Sequence, residues 1–338
     1  MAAVALVVVA CGAAASRSGT KAKPKPVLRT AQQTAAGPAT SLQAQFIAVV
    51  KKVGPAVVQI QTQEGLGSGV IFDAKGDIVT NHHVVGDYKT VRVTLANGKL
   101  YTGTVVNTFP PDDLAVVKIS APNLHPIAFA PSSRLQVGQI ALAIGNPLGL
   151  RSSVTEGIVS AVRSTVAEGN GSSAAISQAV QTSAAINPGN SGGALVDLSG
   201  RLIGIPTLAV SDPQIGGAAA GIGFAIPSDT VKDIAGQIVK YGKVVNSHRA
   251  YLGVTVGDLV GGGGVYIGSV SPGGPADKAG IKAGDIVTAI AGKATPSTDA
   301  LTTVVAGLKP GQTVSVDLTG QDGSKRSVKL TLGSFPGS

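Results

Sequence analysis

Short apolar segments separated by turn-forming residues recur along most of the chain. They are rich in valine and isoleucine and have the length of buried β-strands. Glycine, asparagine and proline lie between them, as expected of turns. Three examples are residues 56–60, 91–95 and 139–144. The pattern predicts a mainly β protein.

Helical patterns are few. Residues 41–53 and 228–241 carry apolar residues at helical spacing, and residues 297–308 form a third helix-like segment. The second segment begins at Ser228, a residue type that caps helices, and is followed by Gly242, which favours a helix end.

Length and composition suit two domains built from β-strands. The chain has 338 residues, 46 glycines and only 3% aromatic residues. A chain of this length can bury a substantial core. Many short strands between turns are typical of β-barrels, whose catalytic residues lie at strand ends and in loops.

The most informative motif is the Asn-Pro-Gly-Asn-Ser-Gly-Gly sequence at residues 187–193. Glycine permits the backbone of a tight turn and leaves N–H groups uncovered beside Ser191. The serine could attack a carbonyl while the N–H groups of Gly189 and Ser191 hold the oxyanion. Clusters of this composition also form ordinary turns, so both interpretations stay open for the motif alone. Ser183 and Ser199 are not followed by two glycines.

Two upstream segments could activate this serine. An apolar strand leads into His82 and His83, and Asp112 and Asp113 precede a second apolar strand. A histidine can accept the serine proton near neutral pH, and a buried carboxylate can orient its imidazole. The order His, Asp, Ser along the chain is that of chymotrypsin-type enzymes.

Together these motifs resemble those of the HtrA (DegP/DegS-like) family of serine proteases. The family patterns T-N-x-H-V, D-[IL]-A-[VL] and G-N-S-G-G correspond to residues 80–84, 113–116 and 189–193. Residues 154–161 and 224–228 match as well, and the resemblance covers roughly residues 41–335.

The resemblance implies which of the neighbouring residues are catalytic. His83 takes the position of the general base, Asp113 that of the orienting acid and Ser191 that of the nucleophile. We expect His82 to be a partly exposed loop residue, although an exchange of the two histidines is a second interpretation. We expect Asp112 to be a solvated turn residue.

The family further implies a fold and a substrate pocket. The fold is a chymotrypsin-like double β-barrel, with His83 and Asp113 in the first barrel and Ser191 in the second. The oxyanion hole would comprise Gly189, Asn190 and Ser191. Cleavage after small aliphatic residues is expected from a pocket of Ile186, Ile205, Pro206 and Thr207. Pro206 departs from the polar residue that is usual in the family at this position.

The C-terminal part resembles a PDZ domain. The matching segments are Tyr251-Leu252-Gly253-Val254, residues 271–276 and residues 279–285. In that family the first segment binds the terminal carboxylate of a peptide, which adds to the sheet as a strand. The alternative is an ordinary edge strand. Residues 261–264 are four glycines without the context of a phosphate-binding loop, and we expect a loop tip.

The expected domain organisation follows from these matches. It consists of a signal, lipoprotein or membrane-anchor segment (1–16), a basic linker (17–40), a trypsin-like protease domain (41–242), a short linker (243–249) and a PDZ domain (250–335). The family also implies a homotrimer, in which the loop at residues 163–177 relays PDZ occupancy to the oxyanion turn.

The positive charge is concentrated in the N-terminal tail. The net charge is +9, but residues 1–52 hold seven lysines and arginines and no acidic residue, which leaves +2 for the rest. This distribution argues against a nucleic-acid-binding face on either domain. A basic tail could favour an anionic membrane surface, or serve simply as a solvated linker.

Residues 2–15 are apolar but too few to span a bilayer. A secretory segment fits them better, and Val8-Val9-Ala10-Cys11 resembles a lipoprotein signal in which Cys11 is lipidated. No basic residue precedes the apolar run, contrary to an export signal, and a start codon assigned too far downstream would explain this. We expect a location in the bacterial cell envelope, as a lipoprotein or by another membrane anchor.

The sequence predicts no metal and no cofactor. No cluster of His, Cys, Asp and Glu has the spacing of metal ligands, and His125 and His248 lie in loop-like contexts. Cys11 is the single cysteine, so no disulfide within the chain is possible.

These observations predict a serine endopeptidase for unfolded or damaged extracytoplasmic proteins, acting in quality control under stress and regulated by peptide C-termini at the PDZ domain. Two alternatives stay open. One is a signalling protease that cuts a single membrane-linked regulator. The other is a chaperone or peptide-binding module whose protease site is inactive at rest.

Overall fold

The computed structural model describes residues 38–146, 153–167, 175–187, 189–212, 217–259 and 261–335. The expectations for residues 1–16 and for Cys11 lie outside this part of the chain, as do those for residues 17–37 and for 168–174 of the predicted relay loop.

Six strands form the first half of the N-terminal domain: β1 (Val57–Gln61), β2 (Leu66–Ile71), β3 (Asp77–Thr80), β4 (Thr90–Thr94), β5 (Leu100–Phe109) and β6 (Leu114–Lys118). They close into an antiparallel barrel in the order β1-β2-β3-β6-β5-β4. Several strands are buried on both faces, because successive side chains alternate between two cores. Val58 faces a core of first-barrel residues, whereas its neighbour Val57 packs in a second core with residues of the second barrel. This explains why these strands are continuous apolar runs.

Seven strands form the second half: β7 (Ala128–Phe129), β8 (Ile140–Gly145), β9 (Ser153–Ala167), β10 (Ala175–Thr182), β11 (Ala194–Val196), β12 (Arg201–Asp212) and β13 (Gly217–Pro227). Their order is β11-β8-β9-β10-β13-β12-β7. Because β11 also pairs with β12, six of these strands close a second barrel, and β7 adds to it in parallel.

Three helices belong to this part of the chain: α1 (Pro38–Val53), α2 (His82–Val85) and α3 (Ser228–Tyr241). The apolar face of α3 packs in the core shared by the barrels, and Gly242 ends the helix with φ 72°. The prediction that Ser228 caps α3 is wrong. Ser228 is the first helical residue, and its hydroxyl donates to the carbonyl of Ala130 at 2.5 Å.

The C-terminal domain contains β14 (Ala250–Tyr251), β15 (Val254–Asp258), β16 (Val265–Val270), α4 (Pro275–Lys278), β17 (Ile286–Ile290), β18 (Lys293–Ala294), α5 (Thr298–Ala306), β19 (Thr313–Thr319), β20 (Lys325–Thr331) and β21 (Gly333–Ser334). Its main sheet has the order β15-β16-β17-β19-β20, so β15 is an edge strand, and β14 pairs with β21. Ser297 caps α5 by accepting the N–H of Ala300 at 3.3 Å. The expected fold, two barrels followed by a PDZ domain, is confirmed.

No helix within the described residues is both long enough and apolar enough to cross a bilayer.

The interior of the first barrel leaves no room for an added methyl group at Gly69. A Cβ there would lie 2.7 Å from a methyl carbon of Ile78 and 2.8 Å from one of Ile60. We expect Gly69→Ala to lower the free energy of unfolding by about 1–3 kcal/mol, because overpacking forces neighbours out of position.

Urea unfolding of the two proteins measures this difference. Gly236→Ala is the matched control, since a Cβ at Gly236 in α3 meets nothing within 4 Å. The free energy of unfolding of this control should rise by about 0.4–1 kcal/mol, because alanine reduces the conformational freedom of the unfolded chain. Equal stability of Gly69→Ala and the wild type would contradict the tight interior.

Candidate active site

Asp113 occupies a special backbone position at the start of β6. It follows a 3₁₀ turn formed by residues Pro110–Asp112 and has φ 50° and ψ 41°, in the left-handed region that aspartate tolerates better than most residues. Its carbonyl accepts the N–H of His82 at 3.0 Å and the side-chain amide of Asn81 at 3.1 Å. These bonds tie the turn of Asp113 to the segment that carries the histidines.

The carboxylate of Asp113 is buried and accepts three hydrogen bonds. Oδ1 accepts the backbone N–H of His83 at 3.0 Å. Oδ2 accepts the Thr207 hydroxyl at 2.6 Å and lies 2.8 Å from His83 Nδ1. Because an ionised carboxylate can only accept, Nδ1 of His83 carries the proton and Nε2 is the basic nitrogen.

Ser191 and His83 line the same cavity between the barrels. The hydroxyl of Ser191 donates to the carbonyl of Thr207 at 2.9 Å. Thr207 therefore contacts two of the predicted catalytic residues, Asp113 through its side chain and Ser191 through its backbone. The sequence predicts Thr207 as a residue of the substrate pocket but gives no sign that it contacts both Asp113 and Ser191.

Glycine is required around Ser191 because the turn approaches other backbone closely. Gly189 has φ 108° and Gly192 has φ 77°. A Cβ at Gly192 would lie 2.2 Å from the carbonyl oxygen of Ser68, and one at Gly193 would lie 2.4 Å from that of Ile144. The motif is therefore more than an ordinary surface turn.

Asn190 stabilises this turn from inside. Its side-chain oxygen accepts the N–H of Asn187 at 3.1 Å, and its side-chain nitrogen donates to Ala185 at 3.0 Å. Its backbone N–H donates to the carbonyl of Asn187 at 3.1 Å. The N–H of Asn190 is thus used within the turn, whereas the sequence analysis predicts Asn190 as part of the oxyanion hole.

Ser68 on β2 connects the first barrel to the serine turn. It is fully buried, and its hydroxyl donates to the carbonyl of Gly189 at 2.6 Å and accepts the N–H of Asn146 at 2.8 Å. Its N–H donates to the carbonyl of Ser191 at 2.9 Å, and its own carbonyl accepts the Thr80 hydroxyl at 2.6 Å. Sequence reasoning missed Ser68, and the only signal was a polar residue within an apolar strand.

The cavity beside Ser191 has a volume of about 490 Å³. Apolar side chains from both barrels line it: Leu66, Val84, Val85 and Ile186. Of the predicted pocket residues, Ile186 and Thr207 line the cavity. Ile205 is fully buried in the core between the barrels, and neither Ile205 nor Pro206 is among the described residues that line it.

His82 and Asp112 each lie next in sequence to a residue of the predicted triad, but their surroundings differ. His82 begins α2 and is partly exposed, in line with its expected position. The prediction of a solvated Asp112 is wrong, because it is only 4% exposed and forms an ion pair with Arg249. Burial raises the pKa of Asp112, and the Arg249 guanidinium acts in the opposite direction.

The loop predicted to bind a peptide carboxylate precedes the edge strand β15. Gly253 has φ 80°, and its carbonyl accepts the N–H of Ser271 at 2.8 Å. The carbonyl of Leu252 accepts the N–H of Ala276 at 2.9 Å, and Tyr251 shares a 3.0 Å hydrogen bond with the Ser271 hydroxyl. A groove of about 230 Å³ lies between β15 and α5, and Leu252, Gly253 and Val254 line it.

Within the described ranges, no three His, Cys, Asp or Glu side chains converge on a possible metal position. His248 is exposed and lies 3.5 Å from Asp233.

Ser68 should affect the reactivity of Ser191 without contacting a substrate. In Ser68→Ala, the carbonyl of Gly189 and the N–H of Asn146 lose their partner, which frees the predicted oxyanion turn to move. We expect a fluorophosphonate probe to label Ser191 roughly tenfold more slowly, a smaller loss than that of an oxyanion donor itself. Ser199→Ala, a change in an exposed turn, is the control. Equal labelling rates in the two variants would contradict this role.

Comparison with known proteins shows to which family the chain belongs. Two family models match the chain, a trypsin-like peptidase domain over residues 67–205 and a PDZ domain over residues 250–332. The periplasmic serine endoprotease DegP of Escherichia coli (strain K12) is 42% identical over 284 residues, which cover 81% of this chain and 58% of that protein. The chain thus spans under two thirds of that relative. The serine protease Do-like HtrA of Lactobacillus helveticus is 39% identical over 287 residues, covering 79% of this chain and 68% of that protein.

Solved structures are similar along most of the chain. The HtrA-type protease AlgW with decapeptide has a TM-score of 0.58 and 31% identity, covering 86% of this chain and 99% of that one. The serine endoprotease from Yersinia pestis has a TM-score of 0.56 and 36% identity, with 86% and 98% covered. The chain belongs to the HtrA family of serine proteases.

Proposed function

We propose that the protein is a serine endopeptidase that hydrolyses unfolded or damaged proteins in the cell envelope. The observation that carries this proposal is the meeting of three predicted residues at one cleft. Asp113 is hydrogen-bonded to Nδ1 of His83, and His83 and Ser191 line the same cavity. This arrangement suits peptide-bond hydrolysis through an acyl-enzyme.

Acylation begins when Ser191 Oγ forms a bond to the carbonyl carbon of the scissile peptide. Nε2 of His83 accepts the hydroxyl proton, and Asp113 stabilises the resulting imidazolium. The N–H groups of Gly189 and Ser191 stabilise the oxyanion of the tetrahedral intermediate. The C–N bond then breaks, and His83 transfers its proton to the departing amine.

Deacylation repeats these steps with water as the nucleophile. His83 removes a proton from the water as its oxygen attacks the acyl carbon. Collapse of the second tetrahedral intermediate returns the proton to Ser191 Oγ and releases the new carboxylate.

The hydrogen bond of the Ser191 hydroxyl favours a site that is inactive at rest. A hydroxyl has one proton, and in this structure it is donated to the Thr207 carbonyl. Ser191 must turn towards His83 before it can react. This observation favours regulated activity over constant proteolysis, and it keeps a peptide-binding module with a resting protease site as a second candidate.

The PDZ groove is the proposed regulatory site. Its edge strand β15 can accept an added strand, and the loop at residues 251–254 would hold the terminal carboxylate. The groove is lined by Leu252, Val254, Leu301 and Val305, which suits apolar C-terminal residues.

Cell-envelope location is proposed from relatives that are described as periplasmic, such as DegP. Anchoring through residues 1–16, lipidation of Cys11 and assembly into a homotrimer are proposed from the sequence resemblance. The apolar cavity wall supports a preference for small aliphatic residues before the cleaved bond.

The full-length protein should degrade unfolded β-casein, and Ser191→Ala should not. We expect kcat to fall by on the order of 10⁶-fold, because the triad acts as a unit. Peptides ending in apolar residues should stimulate the wild type, and gel electrophoresis with time follows both effects. A folded Ser191→Ala variant that retains a few per cent of the activity would disprove the assignment. A wild type that binds such peptides without cleavage would favour the binding module.

Thr207→Val distinguishes a positioning role from a pocket role. Valine keeps the shape of the side chain but cannot donate to Asp113. We expect kcat to fall roughly 10- to 100-fold with little change in KM, since the lost hydrogen bond to a charged group is worth about 1.5–3 kcal/mol. A changed KM or a changed cleavage preference, with kcat intact, would instead assign Thr207 to the substrate pocket alone.

A further inference from the structure

The cavity beside Ser191 extends beyond the predicted substrate pocket. Ile186 and Thr207 line it from the second barrel, and a larger set of residues lines it from the first barrel. This first-barrel wall consists of two segments, the hairpin loop between β1 and β2 with the start of β2 (residues 62–66) and the segment of α2 and the turn after it (residues 83–88). The cavity therefore has space for substrate residues on both sides of the cleaved bond.

The first-barrel wall is where the leaving part of the substrate would lie. In the proposed reaction His83 transfers its proton to the departing amine, so this amine must come close to the imidazole. The substrate residues after the cleaved bond continue from that amine. Residues 84–88 continue from His83 along the same wall, whereas the predicted pocket for the residue before the bond belongs to the second barrel.

The two segments of the wall form one apolar surface. A Cβ at Gly67 would lie 2.6 Å from a methyl carbon of Val84, so the hairpin lies directly against α2. Val84 and Tyr88 also pack against the core of the first barrel, which fixes this surface. Leu66 lies on the same wall and is 49% exposed, so much of its apolar side chain is free to contact a substrate.

Glu64 lies in the hairpin loop, which has a defined shape. The N–H of Thr62 donates to the carbonyl of Gly65 at 3.0 Å. The N–H groups of Glu64 and Gly65 donate to the Thr62 hydroxyl at 3.3 Å and 3.1 Å. These bonds hold the backbone of Glu64 at the edge of the cavity that its residue lines.

Tyr88 holds the side chain of Glu64. Its hydroxyl is hydrogen-bonded to the Glu64 carboxylate. Partial burial of Tyr88 and the negative charge of Glu64 both raise the pKa of Tyr88, so the hydroxyl keeps its proton and donates it to the carboxylate. The carboxylate is thereby linked to a ring that packs against the first-barrel core.

The charge of Glu64 has no counterpart in the cavity. Among the described residues that line the cavity, Glu64 is the single acidic one, and none is a lysine or an arginine. Glu64 forms no ion pair with any other described residue. A carboxylate beside an apolar surface suits a long basic side chain, whose methylene groups can lie on Leu66 and Val84 while its charged end binds the carboxylate.

We propose that Glu64 is a specificity-determining residue that selects lysine or arginine at the first or second position after the cleaved bond. Tyr88 orients the carboxylate for this contact. The inference rests on the proposed function and adds to it the class of substrate sequence that follows the cut.

The test measures kcat/KM on internally quenched peptides that differ only in the residue at the first, or at the second, position after the bond: lysine, glutamine or glutamate. Every assay contains a saturating peptide that ends in apolar residues, because the proposed site is inactive at rest. The full-length wild type is compared with Glu64→Gln, Glu64→Lys and Tyr88→Phe. Asp87→Asn is the matched control, since Asp87 is an exposed carboxylate next to Tyr88 that does not line the cavity.

We expect the wild type to prefer lysine to glutamine about 2- to 5-fold at one of the two positions, the size of effect that an exposed ion pair gives. Its preference for lysine over glutamate should be larger, because glutamate would be repelled. Glu64→Gln should abolish the preference, Glu64→Lys should reverse it, and Tyr88→Phe should weaken it. About 0.5 M sodium chloride should weaken the wild-type preference through screening. Asp87→Asn should keep the wild-type ratio.

Equal kcat/KM values for the three wild-type substrates at both positions would overturn the inference, as would a wild-type ratio in Glu64→Lys. An equal change in Asp87→Asn would also overturn it, because the preference would then come from the overall charge of this surface. Each ratio is taken within one variant, so a lower fraction of folded enzyme does not alter it.

Cut positions in unfolded β-casein, identified by mass spectrometry, provide a second measurement that depends on no chosen peptide. Lysine and arginine should be enriched at the first or second position after the wild-type cuts and not after those of Glu64→Lys. Wild-type cuts without this enrichment would overturn the inference and leave the proposed function intact. A wild type that neither cleaves casein nor is labelled by a fluorophosphonate would instead disprove the proposed function.

Discussion

The cleft depends on one buried carboxylate at the seam between the barrels. A charged group removed from water is stable only if its oxygens accept hydrogen bonds, and Asp113 obtains these from His83 and Thr207. His83 belongs to the first barrel and Thr207 to the second. The charge is therefore satisfied only when both barrels are folded and correctly packed, so the requirement that stabilises the seam also aligns the predicted catalytic residues.

The two barrels provide a rigid frame for this carboxylate because several strands are buried on both faces. Val57 and Val58 are neighbours in β1 but pack in different cores, one that joins the barrels and one inside the first barrel. A displaced strand would disturb both cores at once. The backbone of the turn around Ser191 lies directly against the backbone of both barrels. Gly192 and Gly193 permit this close contact, and any larger residue would prevent it.

The fold and the triad could be predicted from the sequence because both predictions depend on patterns within short segments. Strand runs, the glycines beside Ser191 and the order of the three motifs all lie in short segments. Ser68 could not be found, since its hydroxyl meets Gly189, 121 residues away. The surroundings of Asp112 were unpredictable for the same reason, because Arg249 follows 137 residues later. At Ser228 a contact with Ala130 replaced the local cap, so tertiary packing overrode a correct local rule.

The position of Phe335 has a consequence for the order of assembly. Chains emerge from the ribosome N-terminus first, and domains generally fold in that order. In the sequence, the strands of both barrels come before the PDZ domain, and Phe335 comes after the main PDZ sheet. Its ring nevertheless packs on Phe109 in the first barrel. The barrels can therefore close, and the cleft can form, before the contact that joins them to the peptide groove exists. A nascent chain therefore passes through a stage with a complete protease domain that does not yet contact the PDZ domain. The hydrogen bond of Ser191 with Thr207 lies wholly within that first-formed part.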